Sequence, residues 1–190
     1  MRNTDVKISC FLAILSFSAI FIVNSSFNFE GVWKAASSAV TFTLLARFLF
    51  IKWIWKWKCL SFLRIFHNVP VIEGKWMGSY TSTHNDGVTG NVEVSIYQPT
   101  IFKFHITQNT GESLSLSKGE WLEERQDKVV ELHFSYFNTP DASVRSVSPM
   151  STGFATYQLV ETTVPRKLLG NYFTDRKSTG KVILEEVKDL

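Results

Sequence analysis

Apolar residues follow two different patterns along this chain. Up to about residue 67 they run in long unbroken stretches, and beyond it they alternate with polar residues. Residues 8–23, ISCFLAILSFSAIFIV, carry no charge. With the NSSF that follows, they reach the roughly 20 residues that a membrane-spanning helix needs. Residues 35–51, AASSAVTFTLLARFLFI, carry one charge, Arg47, and also span when continued to Trp55. Arg47 lies near the end of that stretch, where a long cationic side chain can snorkel to the interface.

After FHNVPVIEG the period becomes two, that of a half-buried strand. The alternation predicts eight strands, over 74–82, 91–98, 101–108, 113–124, 128–137, 152–161, 167–175 and 180–187. Turn chemistry separates most of them, as HNDG, QP, NTGE, ERQD and RKSTG. No helical period interrupts the series. Eight short strands in sequence predict a closed antiparallel up-and-down β-barrel of lipocalin-like type, because closure removes exposed edges. The expected protein is therefore a membrane-anchored, mainly β molecule. The two-helix hairpin is expected over residues 1–67 and the barrel over residues 68–190.

Charge sharpens the division. Residues 1–67 hold eight basic and two acidic residues, a net of +6, and residues 68–190 carry −3. A barrel of that charge offers no broad basic field for a DNA or RNA polymer. Three of the six tryptophans cluster in KWIWKWK, where Trp53, Trp55 and Trp57 alternate with Lys52, Lys56 and Lys58. Tryptophan rings favour the headgroup level and lysines its anionic side, so this segment reads as an interfacial collar. Arg2 and Lys7 precede the first apolar stretch, and Lys52, Lys56, Lys58 and Arg64 follow the second. Only Glu30 and Lys34 lie between them. The positive-inside rule then places both termini in the cytoplasm, with two passes through the membrane. Small residues, Ala35 to Ala39, would let the helices approach closely. The rival reading is a cleaved signal peptide, but VNS is a poor cleavage site and a second apolar stretch follows almost at once.

Strand parity nominates the chemistry. Trp76, Gly78, Tyr80 and Ser82 share one face, as do Val130, Leu132, Phe134 and Tyr136, and Leu168, Gly170, Tyr172 and Thr174. The GSY of the first strand is echoed by GNY in the seventh. Polar members of these faces, Tyr80, Tyr136, Tyr157, Tyr172 and Thr174, need partners inside a barrel, from neighbouring strands or from a ligand. Trp76 joins them as an aromatic lining candidate. Arg145, in the loop PDASVRSVSPMS, and Arg176, after the seventh strand, can fork onto a phosphate, or simply be solvated. An eight-stranded barrel is just wide enough for one small ligand. There is no dinucleotide fingerprint, P-loop or nucleophile elbow, and the four histidines are scattered. Cys10 and Cys59 lie in apolar surroundings and do not form a disulfide framework. Neither catalytic residues nor a metal or other cofactor are expected.

A helix pair followed by a barrel that opens on PVIEGKWMGSYTS and ends on LLGNYFTDRKSTGKVILEE resembles a known family over the whole chain. It is similar to the two-transmembrane, β-strand-rich effectors of cyclic-oligonucleotide-based antiphage signalling (CBASS), which are associated with CD-NTases. The resemblance implies that a cytosolic nucleotidyltransferase makes a cyclic di- or oligonucleotide on phage infection. The barrel would bind that messenger, and the helices would self-associate and disrupt the inner membrane. No binding residues are carried over from the family. Two other expectations compete: a tethered lipocalin-like barrel holding an apolar ligand such as a fatty acid, and a passive envelope protein whose barrel binds another protein.

Overall fold

A computed structural model describes residues 2–24, 29–57, 69–83 and 87–187 and divides the chain into two compact units, 1–71 and 72–190. In the first, α1 (Arg2–Asn24) packs against α2 (Phe29–Lys52). Within them, Asp5–Ile22 and Val32–Lys52 are long and apolar enough to cross a membrane. Helix is the conformation that lets such stretches satisfy their backbone groups internally. Ile8 and Ser16 of α1 and Ala39 and Phe50 of α2 are buried.

Arg47 is not left to snorkel alone. Its Nη2 donates to both carboxylate oxygens of Asp5 on α1, at 2.8 and 2.9 Å. Pairing lowers the cost of holding either charge near a bilayer. The helix expected to continue to Trp55 ends at Lys52, and Ile54–Lys56 form a short 3₁₀ turn instead. Trp53 and Trp57 are half exposed while Trp55 is buried. The Lys52 ammonium lies 4.7 Å from the Trp53 ring centre, and that of Lys56 lies 5.7 Å from Trp55. Lys58 and the expected boundary near residue 67 lie outside the described residues.

The second unit is a closed barrel of eight strands. They are β1 (Gly74–Ser82), β2 (Val88–Thr100), β3 (Lys103–Asn109), β4 (Ser113–Glu124), β5 (Val130–Pro140), β6 (Ser151–Val160), β7 (Lys167–Thr174) and β8 (Thr179–Val187). Each pairs antiparallel with its sequence neighbours, and β8 returns to β1. The expected break at QP falls later, because β2 runs through Pro99. The register shifts between Tyr97 and Thr100, and such a bulge tolerates a residue with no backbone donor. A second shift in β4, between Ser117 and Gly119, inserts Lys118 and exchanges the faces of that strand. Ser115 and Leu122 therefore both point inward although their numbers differ in parity.

Apolar side chains fill the barrel from the end where β1 begins. Trp76, Val94, Phe104, Leu132, Phe134 and Leu184 are essentially inaccessible. The Trp76 indole N–H donates to the Ile72 carbonyl at 3.1 Å, and the Ile72 N–H donates to Gln98 Oε1 at 3.0 Å. Arg166 closes this end by pairing with Glu186, its guanidinium 5.6 Å from the Trp76 ring. Toward the other end the inward positions turn polar, and the packing opens.

Candidate functional site

The open end holds a cavity of about 240 Å³. It sits between the last residues of the odd-numbered strands and the first of the even-numbered ones. The 141–150 loop between β5 and β6 lies across it, contributing Val144, Val147 and Ser148 to its lining. Three successive backbone hydrogen bonds coil that loop: Val144 N–H to Asp141, and the Val147 and Ser148 N–H groups to Val144.

Four tyrosines shape this half of the barrel by one device. Tyr80, Tyr136, Tyr157 and Tyr172 each stand opposite a glycine on the next strand: Gly90, Gly153, Gly170 and Gly180. A Cβ at any of these glycines would collide with the facing ring. The absent side chain gives each ring room to lie over the neighbouring strand, which leaves space in the lumen. Burial raises the pKa of Tyr80, with smaller contributions from Tyr172 and Glu112. Burial likewise pushes Tyr136 and Tyr157 upward. All three are neutral phenols, and therefore hydrogen-bond donors, at physiological pH.

One guanidinium faces the cavity, that of Arg176 in the turn after β7. Its Nη1 donates to Ser148 Oγ of the covering loop at 3.0 Å, and its buried Nε has no partner among the described residues. The neighbouring Asp175 does not quench it by a close ion pair. That carboxylate accepts from the Thr152 N–H at 3.0 Å and the Thr152 hydroxyl at 2.8 Å. Those two bonds, the backbone one foremost, hold the Asp175 pKa below its ordinary value. Thr174 completes this wall, its hydroxyl 2.6 Å from Ser178 Oγ.

Of the eight side chains nominated from the sequence, five line the cavity together: Tyr80, Tyr136, Tyr172, Thr174 and Arg176. Tyr157 is fully buried deeper in the barrel, edge-on to Phe134 at 5.1 Å between ring centres. The other two lie outside the cavity lining. Trp76 plugs the opposite end, because its position on β1 is four pairs from the mouth residue Tyr80 and its N–H is spent on Ile72. Arg145 turns back to donate to the Pro140 carbonyl at 3.2 Å and does not line the cavity. Sequence reasoning missed Gln108, Ser115, Asn138, Ser148 and Ser151. Gln108 and Asn138 were reachable, since each continues an apolar face by one more alternate position. Among the described residues no group of three or more His, Cys, Asp or Glu is placed to hold a metal. His105 and His133 sit on β3 and β5, with β4 between them.

The chain thus joins two helices of spanning length to a closed eight-stranded barrel whose cavity combines hydroxyls, amides and one guanidinium with the Glu112 carboxylate and five valines, the build of a small-ligand receptor. Residues 67–186 match the family described as Cap15, cyclic dinucleotide receptor domain, and the chain belongs to that family. This agrees with the resemblance to CBASS effectors that the whole chain displays. No curated protein matches the chain.

Proposed function

We propose that this protein is an antiphage effector whose barrel takes a cyclic dinucleotide into the mouth cavity and thereby drives its helices to assemble and breach the inner membrane. The observation that carries this reading is the cavity's single guanidinium. Among the described residues the Arg176 guanidinium hydrogen-bonds a serine hydroxyl and feels the charge of the adjacent Asp175 without a close ion pair, and a phosphate is a far stronger acceptor for it than the hydroxyl. Tyrosine rings on three strands supply faces for bases and phenolic donors for phosphate or ribose oxygens. A fatty-acid carboxylate could also pair with Arg176, but its tail would leave the amides and phenols around the cavity without partners, so the lining favours the messenger over the apolar alternative.

Size adds a mechanism. Pockets that enclose a drug-sized ligand run from about 300 to 1,000 Å³, and a cyclic dinucleotide is larger than most such ligands. The cavity of about 240 Å³ must therefore open. The 141–150 loop is the wall that can yield: Asp141 N–H holds its start to the Glu112 carbonyl at 2.9 Å, and its far part is tied through the Ser148–Arg176 bond. A phosphate taking Arg176 from Ser148 would release the loop as the messenger enters. Binding promotes assembly only if the assembled form binds the messenger more tightly. The helix pair in the inner membrane, with the barrel in the cytoplasm where the messenger is made, is the arrangement this requires.

The test is titration of the full chain in lipid nanodiscs with a panel of cyclic dinucleotides, alongside dye release from liposomes carrying the protein. Binding with messenger-dependent leakage is expected, and Arg176→Ala should weaken binding at least tenfold, the scale of a lost charge-assisted contact. Binding without assembly or leakage would refute the effector half of the reading and leave a receptor.

A further inference from the structure

From β6, beside the strand that leads to Arg176, round to β3 across the lumen, the barrel presents a continuous row of uncharged polar side chains. Gln108 on β3 is register partner to Ser115 on β4, Ser115 to Asn138 on β5, and Asn138 to Ser151 on β6. All four line the cavity, so the row covers half the barrel's circumference at one level. Its middle is internally satisfied, with Ser115 Oγ donating to Asn138 Oδ1 at 2.8 Å. Its two ends are not. Gln108 Nε2 and Ser151 Oγ are buried and have no partner among the described residues. A buried donor without an acceptor costs about 1–3 kcal/mol, so a row that is unsatisfied at both ends is built for something that supplies partners.

We propose that this row reads a base of the messenger, with Gln108 as the residue that determines which base. The inference rests on the receptor reading above. In an eight-stranded barrel β3 lies across the lumen from β7, so Gln108 and Arg176 spring from opposite sides of the barrel, with the guanidinium reaching over the mouth to Ser148 of the β5–β6 loop. A nucleotide spans such a gap with its phosphate at one end and its base at the other. An amide offers one donor beside one acceptor, which matches the paired N7 and N6–H of adenine. The two acceptors on the corresponding edge of guanine call for arginine or lysine, and the cavity's one guanidinium springs from the far side. On the N7 edge the amide therefore matches adenine and not guanine, and selection of adenine requires the base to present that edge to Gln108.

The experiment is titration of the full chain in nanodiscs with cyclic di-adenylate, cyclic di-guanylate and the mixed dinucleotide. Wild type, Gln108→Leu, Gln108→Glu and Arg176→Ala are compared, each checked by its melting temperature. Wild type should favour the adenine messengers about 10- to 100-fold, the worth of one bidentate base contact. Gln108→Leu should erase that preference. Gln108→Glu, which keeps the size but loses the donor, should lower adenine affinity and narrow or reverse the ratio to guanine. Arg176→Ala should weaken all three ligands by a similar factor. Equal loss across bases in both Gln108 variants, or a wild-type preference for guanine, would overturn the assignment. Failure of folded wild type to bind any of the three would defeat the receptor reading itself, and the base assignment with it.

Discussion

Replacing Gly90 by alanine should close the site while leaving the barrel standing. A Cβ at position 90 falls 2.8 Å from Tyr80 Cε1 and 2.9 Å from its Cζ and Oη. Carbon atoms settle near 3.5–4.0 Å, so the ring must retreat by roughly 1 Å. All three atoms belong to the far end of a rotatable side chain, and the free space lies on the cavity side. Overpacking of this kind costs about 1–3 kcal/mol, offset by roughly 0.5–1 kcal/mol for removing a glycine from a strand interior. A net loss of about 1 kcal/mol corresponds to a melting temperature lowered by roughly 3–6 °C. Messenger affinity should fall much further, because a phenol is driven into a cavity of only about 240 Å³. The assay pairs thermal unfolding of the full chain in detergent, followed by tryptophan fluorescence, with ligand titration. Gly78→Ala is the contrast. There the new Cβ lands on the Ile183 carbonyl oxygen, a backbone atom of the β1–β8 ladder that cannot step aside. That variant should lose several times as much stability, in the upper range of overpacking costs. Truncating the ring in Gly90→Ala/Tyr80→Leu should return the melting temperature toward that of Tyr80→Leu alone. If Gly90→Ala binds messenger like wild type, or if the double variant shows no such recovery, the account of rings resting over glycines is wrong.

Two further predictions concern the rest of the barrel. Glu186→Gln should weaken the Arg166 pair that seals the opposite end, lowering stability by about 1–3 kcal/mol while changing messenger affinity little, as melting and titration together would show. Asp175 contributes through its folded-state pKa, which is lowered below 3.8 by bonds to Thr152. That contribution is complete above the unfolded value and is lost as pH falls through the folded one. Wild type should therefore melt above Asp175→Asn at neutral pH, and the gap should close below about pH 3.8. A gap that persists unchanged at pH 3 would show that the carboxylate is not what holds Thr152.

The sequence by itself determined the two-unit organisation and the strand count. Both rest on local periodicity: unbroken apolar runs can satisfy their backbone only as helices, and an alternation of two puts one face of each strand in a core. The strands 74–82 and 113–124 were legible to the residue, because turn residues bound them on both sides. Parity also reached Tyr80, Tyr136, Tyr172 and Thr174 of the cavity lining, and the position after the seventh strand reached Arg176. Tertiary structure alone decided the rest. The bulge at Lys118 swaps the faces of β4, and only pairing with β5 reveals it, so Ser115 could not be placed inside from its own neighbours. Depth along a strand is equally invisible to a period of two. Trp76 and Tyr80 share a face, yet one plugs the closed end and the other lines the mouth. Whether an arginine in a loop meets the lumen depends on where the loop folds back, and so Arg176 faces the cavity while Arg145 is tied to Pro140. The row from Gln108 to Ser151 joins residues up to 43 positions apart, brought level by the register of four strands. Register is a property of paired strands, and no stretch of one strand contains it.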